Sequence, residues 1–118
     1  MNDKDAIIMT VLDYVEGWYQ GDAERMDRAL SKHLAKRRIA SDEEIMAVSK
    51  EWMLTETGNG RGRITNPEQG RKDITILAQT ETMASVLLLS EEFVDYLHLV
   101  KARNSWKIAN ALWDYLPK

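Results

Sequence analysis

Asp95 and Asn110 are the polar residues whose spacing most invites a chemical reading. If Ala102 to Ser105 forms a turn with an even-numbered loop, odd positions on the strand before it share a face with even positions on the strand after it. One face then carries Phe93, Asp95, Leu97, Leu99, Trp106, Ile108, Asn110 and Leu112, and the other Val94, Tyr96, His98, Val100, Lys107, Ala109, Ala111 and Trp113. The first set is apolar apart from Asp95 and Asn110, so it is expected to be the concave, helix-covered face. A carboxyl on an oily wall loses hydration, its pKa rises, and once protonated it can donate a hydrogen bond to a ligand oxygen. The same carboxyl can equally serve structure by bonding Asn110, Tyr14 or a cap at the rim. Both readings stand on the residues alone.

Other chemistries find less material. The chain has no cysteine, which excludes a disulfide framework, a thiolate nucleophile, a zinc finger and an iron–sulfur site. His33 and His98 are its two histidines, so a metal site would have to recruit carboxylates such as Asp95. No metal or cofactor is expected. Arg61, Arg63 and Arg71 with Lys72 stand among glycines, where they could grip an anion as a loop closes or serve as solvated charge. Gly58-x-Gly60-x-Gly62 lacks the strand-to-helix context and the Gly-Lys-Ser/Thr ending of a phosphate loop. Among the four tryptophans, Trp18 and Trp52 are placed to stack on a planar ligand, and Trp113 with Tyr96 and His98 is placed for a subunit interface. Core packing would account for the same aromatic load.

The elements that must position these groups follow from periodicity. Ile7, Val11, Tyr14 and Trp18 form one stripe at helical spacing, which predicts an amphipathic helix from Asp3 to about Tyr19. Gly21 then supplies a helix stop and Asp22 an N-cap, so a second short helix begins at Ala23. After the basic segment Lys36-Arg37-Arg38, Ser41 and Glu44 have capping-box spacing. A third helix is therefore expected from near Asp42, carrying Ile45, Val48, Trp52 and Met53 toward the core and ending near Gly58. Residues 58–71 hold four of the six glycines and one of the two prolines, which predicts a long loop or flap. Segments 72–79, 83–90, 92–101 and 106–114 are short and rich in β-formers, so they read as an antiparallel meander. Helices first and hairpin-linked strands last mean an α+β fold with helices on one face of the sheet.

The chain's 118 residues, 44% hydrophobic and 30% charged, fit one domain spanning 1–118 with a core of its own. A net charge of −3, with Asp42, Glu43 and Glu44 countering the basic run, argues against nucleic acid as a partner. No segment approaches the ~18 apolar residues of a membrane span. The start Asn2-Asp3-Lys4-Asp5 is unlike a basic-then-apolar leader, so a cytoplasmic place is expected and a membrane partner is not.

The order of elements, with Tyr14-Val15-x-x-Trp18-Tyr19-x-Gly21-Asp22 and Asp95-Tyr96-Leu97-His98-Leu99-Val100-Lys101 before Trp106-Lys107-Ile108-Ala109-Asn110, resembles the nuclear transport factor 2-like superfamily. The nearest likeness is to its small bacterial branch labelled "Putative lumazine-binding". The resemblance implies a cone, in which three N-terminal helices are wrapped by a curved, mostly antiparallel sheet around an apolar pocket. It also implies a homodimer through the outer sheet face. In the isomerase branch a strand acid and a first-helix tyrosine form an oxyanion hole, which the resemblance carries to Asp95 and Tyr14. The general-base carboxylate of that branch falls on Arg38, which cannot abstract a proton, so simple ketosteroid isomerisation is not expected. The leading expectation is a domain that binds a small apolar or aromatic molecule against Tyr14, Trp18, Trp52, Asp95, Leu97, Trp106 and Asn110. The alternative is a cyclase, dehydratase or isomerase acting through Asp95 and Tyr14 on a small carbonyl-containing substrate. A third is an interaction domain with a collapsed core.

Overall fold

A computed structural model describes residues 1–117. The first helix, α1, runs Asp3–Gln20, with the Asn2 side chain accepting from the Asp5 N–H at its start. It stops at Gly21, whose left-handed φ of 69° suits a residue without Cβ. Asp22 caps the short α2, Ala23–Ala29, by accepting from the Arg25 N–H. The strands are β1 Leu30–Ile39, β2 Ile45–Val48, β3 Asp73–Gln79, β4 Met83–Leu89, β5 Phe93–Ala102 and β6 Ser105–Tyr115. Helix α3, Lys50–Gly58, follows β2, and a 3₁₀ turn, Pro67–Gln69, precedes β3. The sheet order is β2-β1-β6-β5-β4-β3, with β1 and β6 parallel and all other neighbours antiparallel. Three helices thus pack on a curved, open six-stranded sheet, the α+β cone that the element order and the resemblance imply.

The core lies between α1 and the inner sheet face, where Ile7, Val11, Leu97, Leu99 and Ile108 are fully excluded from solvent. The turn of the last hairpin holds Arg103 and Asn104 at φ 53° and 62°, the geometry of a two-residue hairpin loop.

Two expectations about elements are corrected. The third helix does not begin near Asp42. Ser41 Oγ accepts from the Glu43 N–H within a tight turn, and Ile45–Val48 pairs with β1 from Ile39↔Ile45 to Lys36↔Val48. The helix starts after Ser49, whose hydroxyl accepts from the Trp52 N–H. Local spacing favoured a cap at Ser41, but β1 offered an open edge whose backbone groups Ile45–Val48 could satisfy.

The second correction is the register of the last hairpin. Leu99 pairs with Ile108 but His98 pairs with Asn110, so Ala109 is an extra residue in β6. A bulge of one residue reverses every later side chain on its strand. Trp106 and Ile108 face inward as expected, whereas Asn110 and Leu112 point outward and Ala111 and Trp113 point inward. β1 is irregular against β6 at the same level, between Leu30 and Ala35.

On the outer side of α1 the Asp13 carboxylate, 8% exposed, takes Arg25 at 3.0 Å and Arg28 at 2.9 Å, and Glu16 takes Arg25 at 2.8 Å and Lys72 at 3.0 Å. Burial works against both carboxylates, but the hydrogen bonds from these cations outweigh it and hold their pKa values below the ordinary range. Their contribution to stability is therefore whole above about pH 4 and lost as pH falls below it. Asp13→Asn should lower the urea-unfolding free energy by about 2 kcal/mol at pH 7 and flatten the loss of stability between neutral and acid pH. An unchanged acid limb would mean that these pairs do not tie α1 to α2.

Candidate functional site

Helical spacing on α1 turns Tyr14 inward beneath the sheet, and alternation on β1 and β5 turns Lys36 and Asp95 toward it. Tyr14 Oη donates to Asp95 Oδ2 at 2.9 Å, and Lys36 Nζ donates to Tyr14 Oη at 2.5 Å. Lys36, Tyr14 and Asp95 are 8%, 5% and 3% exposed. Burial pushes the Asp95 carboxyl up, against the opposing pull of Lys36 and the Tyr14 hydrogen bond. Burial also pushes the Lys36 ammonium down, partly offset by Asp95. The Tyr14 hydroxyl rises well above its usual range, from burial first and then from the neighbouring carboxylate. An acid, a phenol and an amine are thus linked in one chain along which protons can shift.

This chain lines a cavity of about 140 Å³ bounded also by Trp18, Trp52, Phe93, Trp113 and Tyr115. Phe93 and Trp113 meet edge to face with centroids 5.2 Å apart. The Lys36 Nζ lies 4.9 Å from the Tyr14 ring centre and 5.6 Å from that of Trp113, and the Arg38 guanidinium lies 5.3 Å from Trp113. Trp113 Nε1 is buried with no hydrogen-bond partner among the described residues.

Of the seven residues expected at a ligand site, Tyr14, Trp18, Trp52 and Asp95 border this cavity. Leu97 and Trp106 are buried in the core beside it without reaching the cavity, and the Trp106 Nε1 donates to Asp3 at 3.1 Å. Asn110 is on the outer face, 3.2 Å from His98 Nδ1, because of the bulge at Ala109. For the same reason Trp113 is not on the outer face with Tyr96 and His98. Of Arg61, Arg63, Arg71 and Lys72, Arg61 alone lines the cavity, 5.1 Å over Trp52 and paired with Glu56 at 2.7 Å. Arg71 pairs with Asp73 and Lys72 with Glu16. The loop packs tightly at Gly62, where an added Cβ would stand 2.2 Å from the Trp18 indole.

Sequence reasoning missed Lys36 and Trp113. Lys36 was legible as the middle of Leu34, Lys36 and Arg38, alternate residues of one strand face, but it read only as part of a basic run. No local signal marks Trp113, whose direction depends on the bulge.

The family model described as "Putative lumazine-binding" matches residues 2–114. The chain belongs to this family. Among curated proteins none matches. The fold of the chain is NTF2-like. It superposes on an NTF2-like protein of unknown function from Shewanella baltica with a TM-score of 0.81 at 18% identity, covering 98% of this chain and 95% of that one. An NTF2-like protein of unknown function from Methylobacillus flagellatus gives a TM-score of 0.78 at 20% identity, with 98% and 93% covered. At such identities the likeness concerns the fold, and the site must be argued from its own residues.

Tyr14→Phe keeps the ring and removes the hydroxyl shared by Lys36 and Asp95. It should destabilise the protein by about 1 to 3 kcal/mol in urea unfolding. A stability equal to that of the unaltered chain would show that the hydroxyl does not bridge the two groups.

Proposed function

We propose that residues 1–118 act as one small-molecule-binding domain in the cytoplasm. Its ligand is a planar aromatic or heteroaromatic molecule of one or two rings, with an oxygen acceptor turned toward the Lys36 ammonium that Tyr14 positions. The observation that carries this reading is the buried Lys36–Tyr14–Asp95 chain on the lining of a cavity whose other walls are aromatic and aliphatic side chains apart from Arg61 and Ser90. An apolar cavity of roughly 150 Å³ is enough to admit benzene, and the cavity here is about 140 Å³. The aromatic walls supply stacking and dispersion, while the polar chain orients the ligand. Lumazine, the molecule in the family's description, is a two-ring heteroaromatic with carbonyl oxygens and falls within this class.

The placement of the Tyr14 hydroxyl between an acid and an amine favours a second reading. In it the domain is a cyclase, dehydratase or isomerase in which Tyr14 polarises a substrate carbonyl and Asp95 moves a proton. A homodimer through the outer sheet face is proposed with either reading. It is supported by Met83, Tyr96 and Leu112, which are 58%, 54% and 56% exposed on that face.

Titration with lumazine should quench tryptophan fluorescence, and Tyr14→Phe or Asp95→Ala should weaken binding about tenfold, or ~1.4 kcal/mol. Equal affinity in both variants would remove the polar chain from the ligand's contacts. For the assembly, Leu112→Arg should convert a dimer to a monomer by light scattering. A dimer that survives the substitution would put the interface elsewhere.

A further inference from the structure

An ammonium carries three donors, yet among the described residues Lys36 Nζ has one hydrogen-bond partner, the Tyr14 hydroxyl. Its remaining valences lie at the lining of the aromatic cavity, against the Tyr14 and Trp113 rings. The single partner is itself hydrogen-bonded to a carboxyl that can store a proton, Asp95. A buried amine at a cavity wall, a hydroxyl able to pass a proton, and an acid behind it make up the equipment for carbonyl addition and dehydration. We infer that Lys36 is a nucleophilic amine and that the cavity takes small aromatic aldehydes, which it holds as an imine on Nζ. This rests on the cavity being a ligand site, as proposed above, and narrows its ligand class.

The steps balance within the chain. The Lys36 ammonium passes a proton through Tyr14 Oη to the Asp95 carboxylate, leaving a neutral amine. The Nζ lone pair attacks the aldehyde carbon, and a proton shift from nitrogen to oxygen gives the carbinolamine. The Asp95 carboxyl then returns its proton through Tyr14 to the carbinolamine hydroxyl, which leaves as water as the C=N bond forms. The product is a protonated imine facing the Asp95 carboxylate. It replaces the original ammonium with the same charge, and one water is released per aldehyde bound. Burial lowers the ammonium's pKa and raises the carboxyl's, which brings the first transfer within reach.

The test treats the full chain with equimolar benzaldehyde and sodium cyanoborohydride, followed by intact mass and peptide mapping. One benzyl group should appear on Lys36 ahead of the exposed Lys4 and Lys32. Lys36→Met should abolish that modification, and Tyr14→Phe should slow it by at least about tenfold, because the proton route is lost. Benzyl alcohol, which has nearly the same shape but no carbonyl, is titrated in parallel by tryptophan fluorescence. If benzyl alcohol binds but benzylation falls on the exposed lysines and spares Lys36, the imine inference is overturned and the cavity reading stands. If benzyl alcohol does not bind and Lys36 is unmodified, both are overturned. The mapping on the unaltered chain decides even if Lys36→Met fails to fold.

Discussion

Groups that ionise cannot leave water for the space between a helix and a sheet unless each finds a partner, and Lys36, Tyr14 and Asp95 satisfy that demand together. The three come from β1, α1 and β5, so their bonds set how deeply the helix sits on the sheet and where β1 lies relative to the strands beyond β6. An apolar trio in these places would pack without directional contacts. Here the direction of each bond matters, because the hydroxyl must accept from the amine and donate to the acid. The same arrangement leaves the amine with donors to spare at the cavity wall, and the binding proposal grows from that shortage of partners.

The other controlling feature is the extra residue at Ala109. Its bulge lets one strand present Trp106 and Ile108 to the main core and then Ala111 and Trp113 to the cavity. Without it, the amide of Asn110 and the side chain of Leu112 would occupy the inner face, and Trp113 would lie outside. The matching irregularity in β1 brings Lys36 opposite the buried Ala111, so the lysine is aimed inward at the level of Tyr14. Bulges bend and twist the strands that carry them, and this one lies where the sheet separates a filled core from a hollow.

Much of the scaffold was legible locally. The α1 stripe through Ile7, Val11, Tyr14 and Trp18, the stop at Gly21, the cap at Asp22 and the four strands of the meander depend on neighbours within a few residues, where propensity and capping act. β2 was not legible, because Ser41 and Glu44 imitate a helix start and the competing partner, the edge of β1, is supplied by the fold rather than by adjacent residues. Within the site, Tyr14, Trp18, Trp52 and Asp95 could be placed from periodicity. Asn110 could not, since alternation counts residues and the bulge adds one.

The amino-acid sequence by itself determined the class of fold, the ends of α1, the cap of α2, the strand segments of the meander and the presence of one acid on an oily strand face, because each is an effect of short-range sterics and of apolar spacing. Only the tertiary structure decided that Lys36 is Tyr14's second partner, that Trp113 walls the cavity and that Asn110 faces solvent. Those outcomes depend on register between strands distant in the chain, where a shift of one residue turns every following side chain to the opposite face.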